Sequence, residues 1–179
     1  MARSTGQIQG LIRRRRSGAG RAAPDIRRAR AQGRPLTDPD SIRSDFSFLD
    51  DWEDRYRYVL DLGRTLEPLS EAGHNEANKV RGCVSQVWLE LGKSVNEAGE
   101  PVLHYRGDSD SHLVRGLLAI ALALYSDQPA RQILSRDAVG FFRELGLEAH
   151  LTPQRSNGVR AMIERIRADA AAAVETASP

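Results

Sequence analysis

From Asp50 onward the alternation of apolar and polar residues falls into three textures. The first is helical. Asp50 or Asp51 can cap a helix whose apolar positions Trp52, Tyr56, Val59, Leu60 and Leu62 follow helical spacing, and Pro68 should stop it. The second is β-rich. Cys83 to Leu91 carries Val84, Val87, Trp88, Leu89 and Leu91, and Pro101 to Tyr105 forms a second run. Gly92-Lys93-Ser94 and Asn96 to Glu100 supply turn residues, so these runs predict an antiparallel meander of two or three short strands. The third texture is helical again. His112 to Tyr125 is apolar almost all round and predicts the central buried helix. Pro129–Leu134 and Ala138–Leu145 predict shorter helices, the second closed by Gly146. Thr152 and Pro153 open the last helix, whose stripe is Val159, Met162, Ile163 and Ile166, and the Ala-rich end from Ala168 to Pro179 is expected to fray.

Two or three strands cannot close a barrel, so helices must cover one face of the sheet. The expected class is α+β, a small antiparallel sheet packed against several helices. The longest uncharged apolar run, Gly116 to Ser126, is far short of the roughly 20 residues a spanning helix needs, which argues against a membrane protein.

Charge divides the chain. Residues 1–44 hold 11 arginines against three aspartates, a net of +8; residues 45–179 hold 15 basic and 21 acidic groups, a net of −6. The overall +2 is therefore an average over a basic arm and a mildly acidic domain. The arm (1–44) lacks apolar periodicity and is expected to be disordered on its own, with Pro35 to Ser44 as its linker to a folded domain over 45–179, of which 170–179 is a frayed tail. It reads as an anion-binding tail, an organelle transit peptide, or a translated extension without function. Nothing in it resembles a secretory signal. The expected compartment is the cytoplasm, or an organelle if the arm is a transit peptide. An acidic domain argues against nucleic acid as a partner for the folded part.

The single cysteine, Cys83, excludes an internal disulfide framework and a cysteine-only metal site. It lies in Asn78-Lys79-Val80-Arg81-Gly82-Cys83-Val84-Ser85-Gln86-Val87-Trp88, at the junction of a loop and the first expected strand. Lys79 and Arg81 favour the thiolate, whereas burial would oppose it. A buried, unreactive thiol is the competing reading. A third is a cysteine hydrolase pairing Cys83 with a histidine, although His74, His104, His112 and His150 show no ligand spacing. A fourth is a non-catalytic nucleic-acid-binding module built on the arginine tail.

The Asn78–Trp88 run resembles the cysteine-loop segment of the SufE family, the sulfur acceptors of iron–sulfur cluster assembly. Gly107-Asp108-Ser109-Asp110 followed by Val114-Arg115-Gly116-Leu117 resembles the family's second motif, and His150 to Gly158 followed by Met162 its third. Trp52, Tyr56 and Gly63 fit its first helix, so the resemblance covers about residues 45–170. It implies a SufE-like, IscU-like fold. It also implies that Cys83 accepts persulfide sulfur from a SufS-like cysteine desulfurase, stimulates that enzyme and passes the sulfur to an iron–sulfur scaffold. No cofactor of its own is implied; the desulfurase would carry pyridoxal phosphate. Asp110 matches a family position near the acceptor and could hold the cysteine loop, or simply face the dipole of the His112 helix. Arg155 matches the third motif and could contact the partner or steady the loop. A cation at a helix N-terminus is disfavoured, which points to a carboxylate partner for Arg155. A resting acceptor is expected to keep Cys83 largely buried, with Val80, Val84 and Leu113–Leu117 as walls.

Overall fold

The computed structural model describes residues 38–177; the arm's first 37 residues lie outside them. The helices are α1 (Pro39–Phe46), α2 (Trp52–Thr65), α3 (His112–Tyr125), α4 (Ala130–Ser135), α5 (Ala138–Glu144) and α6 (Pro153–Ala177). The strands are β1 (Val87–Val95), β2 (Pro101–Ser109) and β3 (Gln128–Pro129), in the order β1-β2-β3 and antiparallel throughout. The class is therefore the α+β arrangement expected.

α3 is the centre. Ser111 caps it by accepting from the Val114 N–H (3.4 Å), and eleven of its residues, from Leu113 to Tyr125, are buried. Its 14 residues match the expected bounds because an all-round apolar helix has only one stable place, inside. α2 starts at the expected cap, with Asp51 accepting from the Asp54 N–H at 2.8 Å. Tyr58 rather than Tyr56 faces the core; Tyr56 is exposed. The Tyr58 hydroxyl donates to Asp45 (2.7 Å), which satisfies its polar tip inside.

α2 and α3 cross at Gly63 and Gly116, and the crossing leaves no room for side chains. A Cβ on Gly116 would overlap the Val59 carbonyl oxygen, and one on Gly63 would sit 2.8 Å from the Gly116 nitrogen. The close approach seals α2 against the core.

The structure corrects four expectations. The Pro35–Ser44 linker gives way to α1 from Asp38 on: Asp38 accepts from the backbone of Asp40 and Ser41, and Ile42 and Phe46 are buried in the core. Gly92-Lys93-Ser94 is not a turn but the middle of β1; the hairpin turn is Asn96–Glu100, where the Asn96 side chain accepts from Ala98 and Glu100. β1 therefore starts at Val87, four residues later than expected, and β2 runs on to Ser109. Last, the Ala-rich end does not fray before Ala177. α6 continues to it and buries Ala170 and Ala173. Small side chains let that helix lie close, a packing mode that a search for large apolar residues overlooks. The short β3, which ends on a proline that cannot extend a ladder, has no signal in the sequence. No described helix is long and apolar enough to cross a membrane.

Candidate functional site

The late start of β1 takes Cys83 off the strand and places it in a loop. The loop's base is closed like a hairpin: the Leu89 N–H donates to Asn78 O (2.7 Å) and the Val80 N–H to Val87 O (2.8 Å). Gly82 makes the bend with a φ of +91°, a conformation that strains any residue bearing a Cβ. Residues 81–85, with Cys83 in the middle, stand clear of the ladder.

On the exit side, the end of β2 holds the loop. Asp110 accepts from the Gln86 N–H (3.0 Å), its own N–H donates back to Gln86 O (3.3 Å), and the Ser109 hydroxyl donates to the same carbonyl (2.8 Å). Asp110 thus ties the loop three residues from Cys83, while the adjacent Ser111 is the residue that caps α3.

Cys83 is half-buried, less sheltered than expected, and its thiol donates to Gly158 O on α6 (3.4 Å). A Cβ on Gly158 would lie 3.5 Å from Sγ, so glycine leaves the sulfur free space on that side. A cleft of about 240 Å³ opens here, with Val114, Leu117, Val159 and Met162 as apolar walls and Ser85, Thr152, Gln154 and Arg155 at its polar edge. Val114 and Leu117 are walls as expected. Val84 contributes only at the mouth, being 81% exposed, while Val80 packs into the core instead. Burial raises the Cys83 thiol above the ordinary cysteine value. The expected counterweight is occupied elsewhere, since Lys79 and Arg81 both turn to Glu76, at 3.5 and 3.6 Å. At neutral pH the resting group is accordingly the thiol.

Arg155 sits in the first turn of α6, its N–H donating to Thr152 Oγ1 (3.4 Å). The carboxylate partner expected for its guanidinium is not there: no ion pair joins it to an acid among the described residues. None of the four histidines lines the cleft. His74 bonds Asp108 (3.1 Å), His104 bridges Ser94 and Asp127, and His150 stacks on Trp52 with centroids 4.0 Å apart. A cysteine–histidine hydrolase therefore has no base at Cys83. Among the described residues there is also no cluster of three or more His, Cys, Asp or Glu able to hold a metal ion.

One supporting cluster joins residues from distant parts of the sequence. Asp108, at the end of β2, is buried and receives Arg115 Nη1 (3.1 Å), His74 Nε2 (3.1 Å) and the Ser109 N–H (2.8 Å). Arg115 also donates to Leu66 O (2.7 Å), and the His74 ring meets the Trp88 ring edge to face at 4.6 Å. This cluster ties Leu66 and His74, in the segment that leads towards the cysteine loop, to the end of β2 and the start of α3. Asp108 and Arg115 stand in the Gly107–Leu117 motif, which was the available signal; His74, 34 residues away, gave none.

Release of the exit tie should be measurable. Asp110→Ala is expected to cost about 1 kcal/mol of stability, the worth of a hydrogen bond. It should raise the alkylation rate of Cys83 severalfold and move the midpoint of its pH profile down towards the ordinary cysteine value, because a loosened loop admits water to the sulfur. Iodoacetamide kinetics across the neutral to alkaline range check this; an unchanged rate and midpoint would mean that Asp110 only serves the helix.

Known proteins agree with this architecture. Residues 40–170 match the family described as SufE: Fe-S metabolism associated domain. An uncharacterized SufE-like protein of Rhizobium etli is 52% identical over 131 residues, covering 73% of this chain and 88% of that protein. Another, from Rhizobium meliloti, is 48% identical over 135 residues, covering 75% and 96%. The solution structure of a hypothetical protein from Thermus thermophilus superposes with a TM-score of 0.59 at 19% identity, covering 76% of this chain and 96% of that one, a likeness of fold.

Proposed function

The chain belongs to the SufE family, whose role lies in iron–sulfur metabolism, and on that premise we propose that Cys83 accepts a sulfur atom from the persulfide of a cysteine desulfurase and passes it to an iron–sulfur scaffold. The observation that carries the reading is the placement of Cys83: the chain's one cysteine, at the tip of a short loop pinned at both ends, with its sulfur sheltered in an apolar cleft.

The desulfurase, with pyridoxal phosphate, would generate the persulfide on its own cysteine. Cys83, as thiolate, attacks the outer sulfur. A new S–S bond forms on Cys83, the donor's S–S bond breaks, and the electron pair leaves on the donor's thiolate, which takes up a proton. There is no net oxidation, and the product needs no second thiol in this chain. The raised thiol affinity for its proton lowers the thiolate fraction and so slows Cys83 in the free protein; docking that draws the loop outwards would expose Cys83 to water and to the donor, and lower that affinity. The Gly158 carbonyl accepts from the thiol but repels an anion, so ionisation itself loosens the sulfur's tie to α6.

The test mixes purified protein, a SufS-like desulfurase and free cysteine, then measures intact mass. One added sulfur, about 32 Da, is expected on Cys83, with none on Cys83→Ser. Absence of that gain beside a desulfurase that is turning over would refute the reading.

A further inference from the structure

The cleft is larger than its cysteine requires. A water molecule's share of liquid volume is about 30 Å³, so the roughly 240 Å³ beside Cys83 holds several heavy atoms beyond a single added sulfur. Its charge is one-sided as well: among the residues lining it, Arg155 is the only charged one, and that guanidinium has no carboxylate partner among the described residues. Apolar walls, a sulfur nucleophile at one side and a cation with free donors at the edge define a ligand. It is a short chain with a sulfur at one end and an anion at the other.

We propose that the cleft admits low-molecular-weight persulfides bearing a carboxylate, which Arg155 engages while Cys83 takes their outer sulfur. This rests on the reading of Cys83 as a sulfur acceptor and adds a second class of donor. The step balances as before: the Cys83 thiolate bonds to the outer sulfur of R–S–SH, the donor's S–S bond breaks, and R–S⁻ departs with the electron pair, leaving Cys83–S–SH. Arg155 touches no reacting atom in this step. It holds the donor, and a guanidinium suits a carboxylate because its paired N–H groups match the two oxygens.

The experiment uses the full chain without desulfurase. Cysteine persulfide and the persulfide of cysteine methyl ester, which differ by one carboxylate charge, are each added, and the rate of the gain of about 32 Da at Cys83 is followed by mass. The acid-to-ester rate ratio in the wild type should exceed that in Arg155→Ala by about fivefold, the upper range for an exposed ion pair. Arg155→Lys should keep part of the preference, and added salt should erode it. Cys83→Ser should gain no mass. Equal ratios in wild type and Arg155→Ala would overturn the proposal, as would no loading by either persulfide of a protein that a desulfurase does load. Loading from free persulfides with the charge preference, but none from a desulfurase, would leave this proposal standing and remove the partner reading alone.

Discussion

Gly116→Ala should unfold the domain or cost more than about 3 kcal/mol, because overpacking here cannot be relieved by a rotamer change. The added methyl would overlap the Val59 carbonyl oxygen and lie 2.8 Å from its carbonyl carbon, and both atoms are helix backbone. Two helices would have to part, and they carry the buried Val59, Leu62, Leu117 and Ile120 with them. The intrinsic gain of alanine over glycine in a helix, about 1 kcal/mol, is too small to compensate. Gly158→Ala is the matched control. It lies in another helix, its new methyl would stand 3.5 Å from Cys83 Sγ in ordinary contact, and its stability should be unchanged or slightly raised. Urea denaturation of the two variants checks the contrast; equal stabilities would contradict the close crossing of α2 and α3.

Asp108→Ala carries the second large effect. It strands Arg115, whose side chain is only 21% exposed and which would keep a single carbonyl partner at Leu66. Removing one member of a buried ion pair costs about 3–5 kcal/mol. The partial exposure of Arg115 puts the expected value near the lower end, about 3 kcal/mol. Removing the second charge as well should recover much of the loss, so Asp108→Ala with Arg115→Met should be more stable than Asp108→Ala alone. Denaturant midpoints of the two single variants and the double variant form the cycle. Strictly additive losses would show that the two charges do not depend on one another.

The buried helix α3 was legible from sequence to the residue, because apolarity on every face admits one placement. So was the capped start of α2. The site was legible in part. The resemblance drew attention to Cys83, Asp110 and Arg155, and the structure brings Asp110 to the cysteine loop and Arg155 to the cleft. What stayed hidden has physical causes. Glycine in Gly92-Lys93-Ser94 reads as a turn, yet at an edge strand with one solvated side it costs little, so the ladder runs through it. α1 buries only Ile42 and Phe46, too few for a period, and its proline and acids, which are helix-opening residues, look like linker. The Asp108–Arg115–His74 cluster depends on contacts between distant segments, and the cleft owes half its wall to α6, 75 residues beyond the cysteine it faces.

The pinned loop also sets a tether length. Cys83 lies three residues from Val80, the last anchor on the entrance side, and three from Gln86, the first on the exit side. Three extended residues span about 10 Å. α6 cannot follow the sulfur outwards, because its far end is fixed by Ala170 and Ala173 in the core. On the proposed reading of Cys83 as a sulfur acceptor, any donor too large for the cleft must therefore bring its persulfide to within that leash. A partner whose reactive sulfur is recessed must reach it by shape, fitting flush against the loop and the exposed Val84 beside it, since the loop is too short to deliver the thiol at a distance.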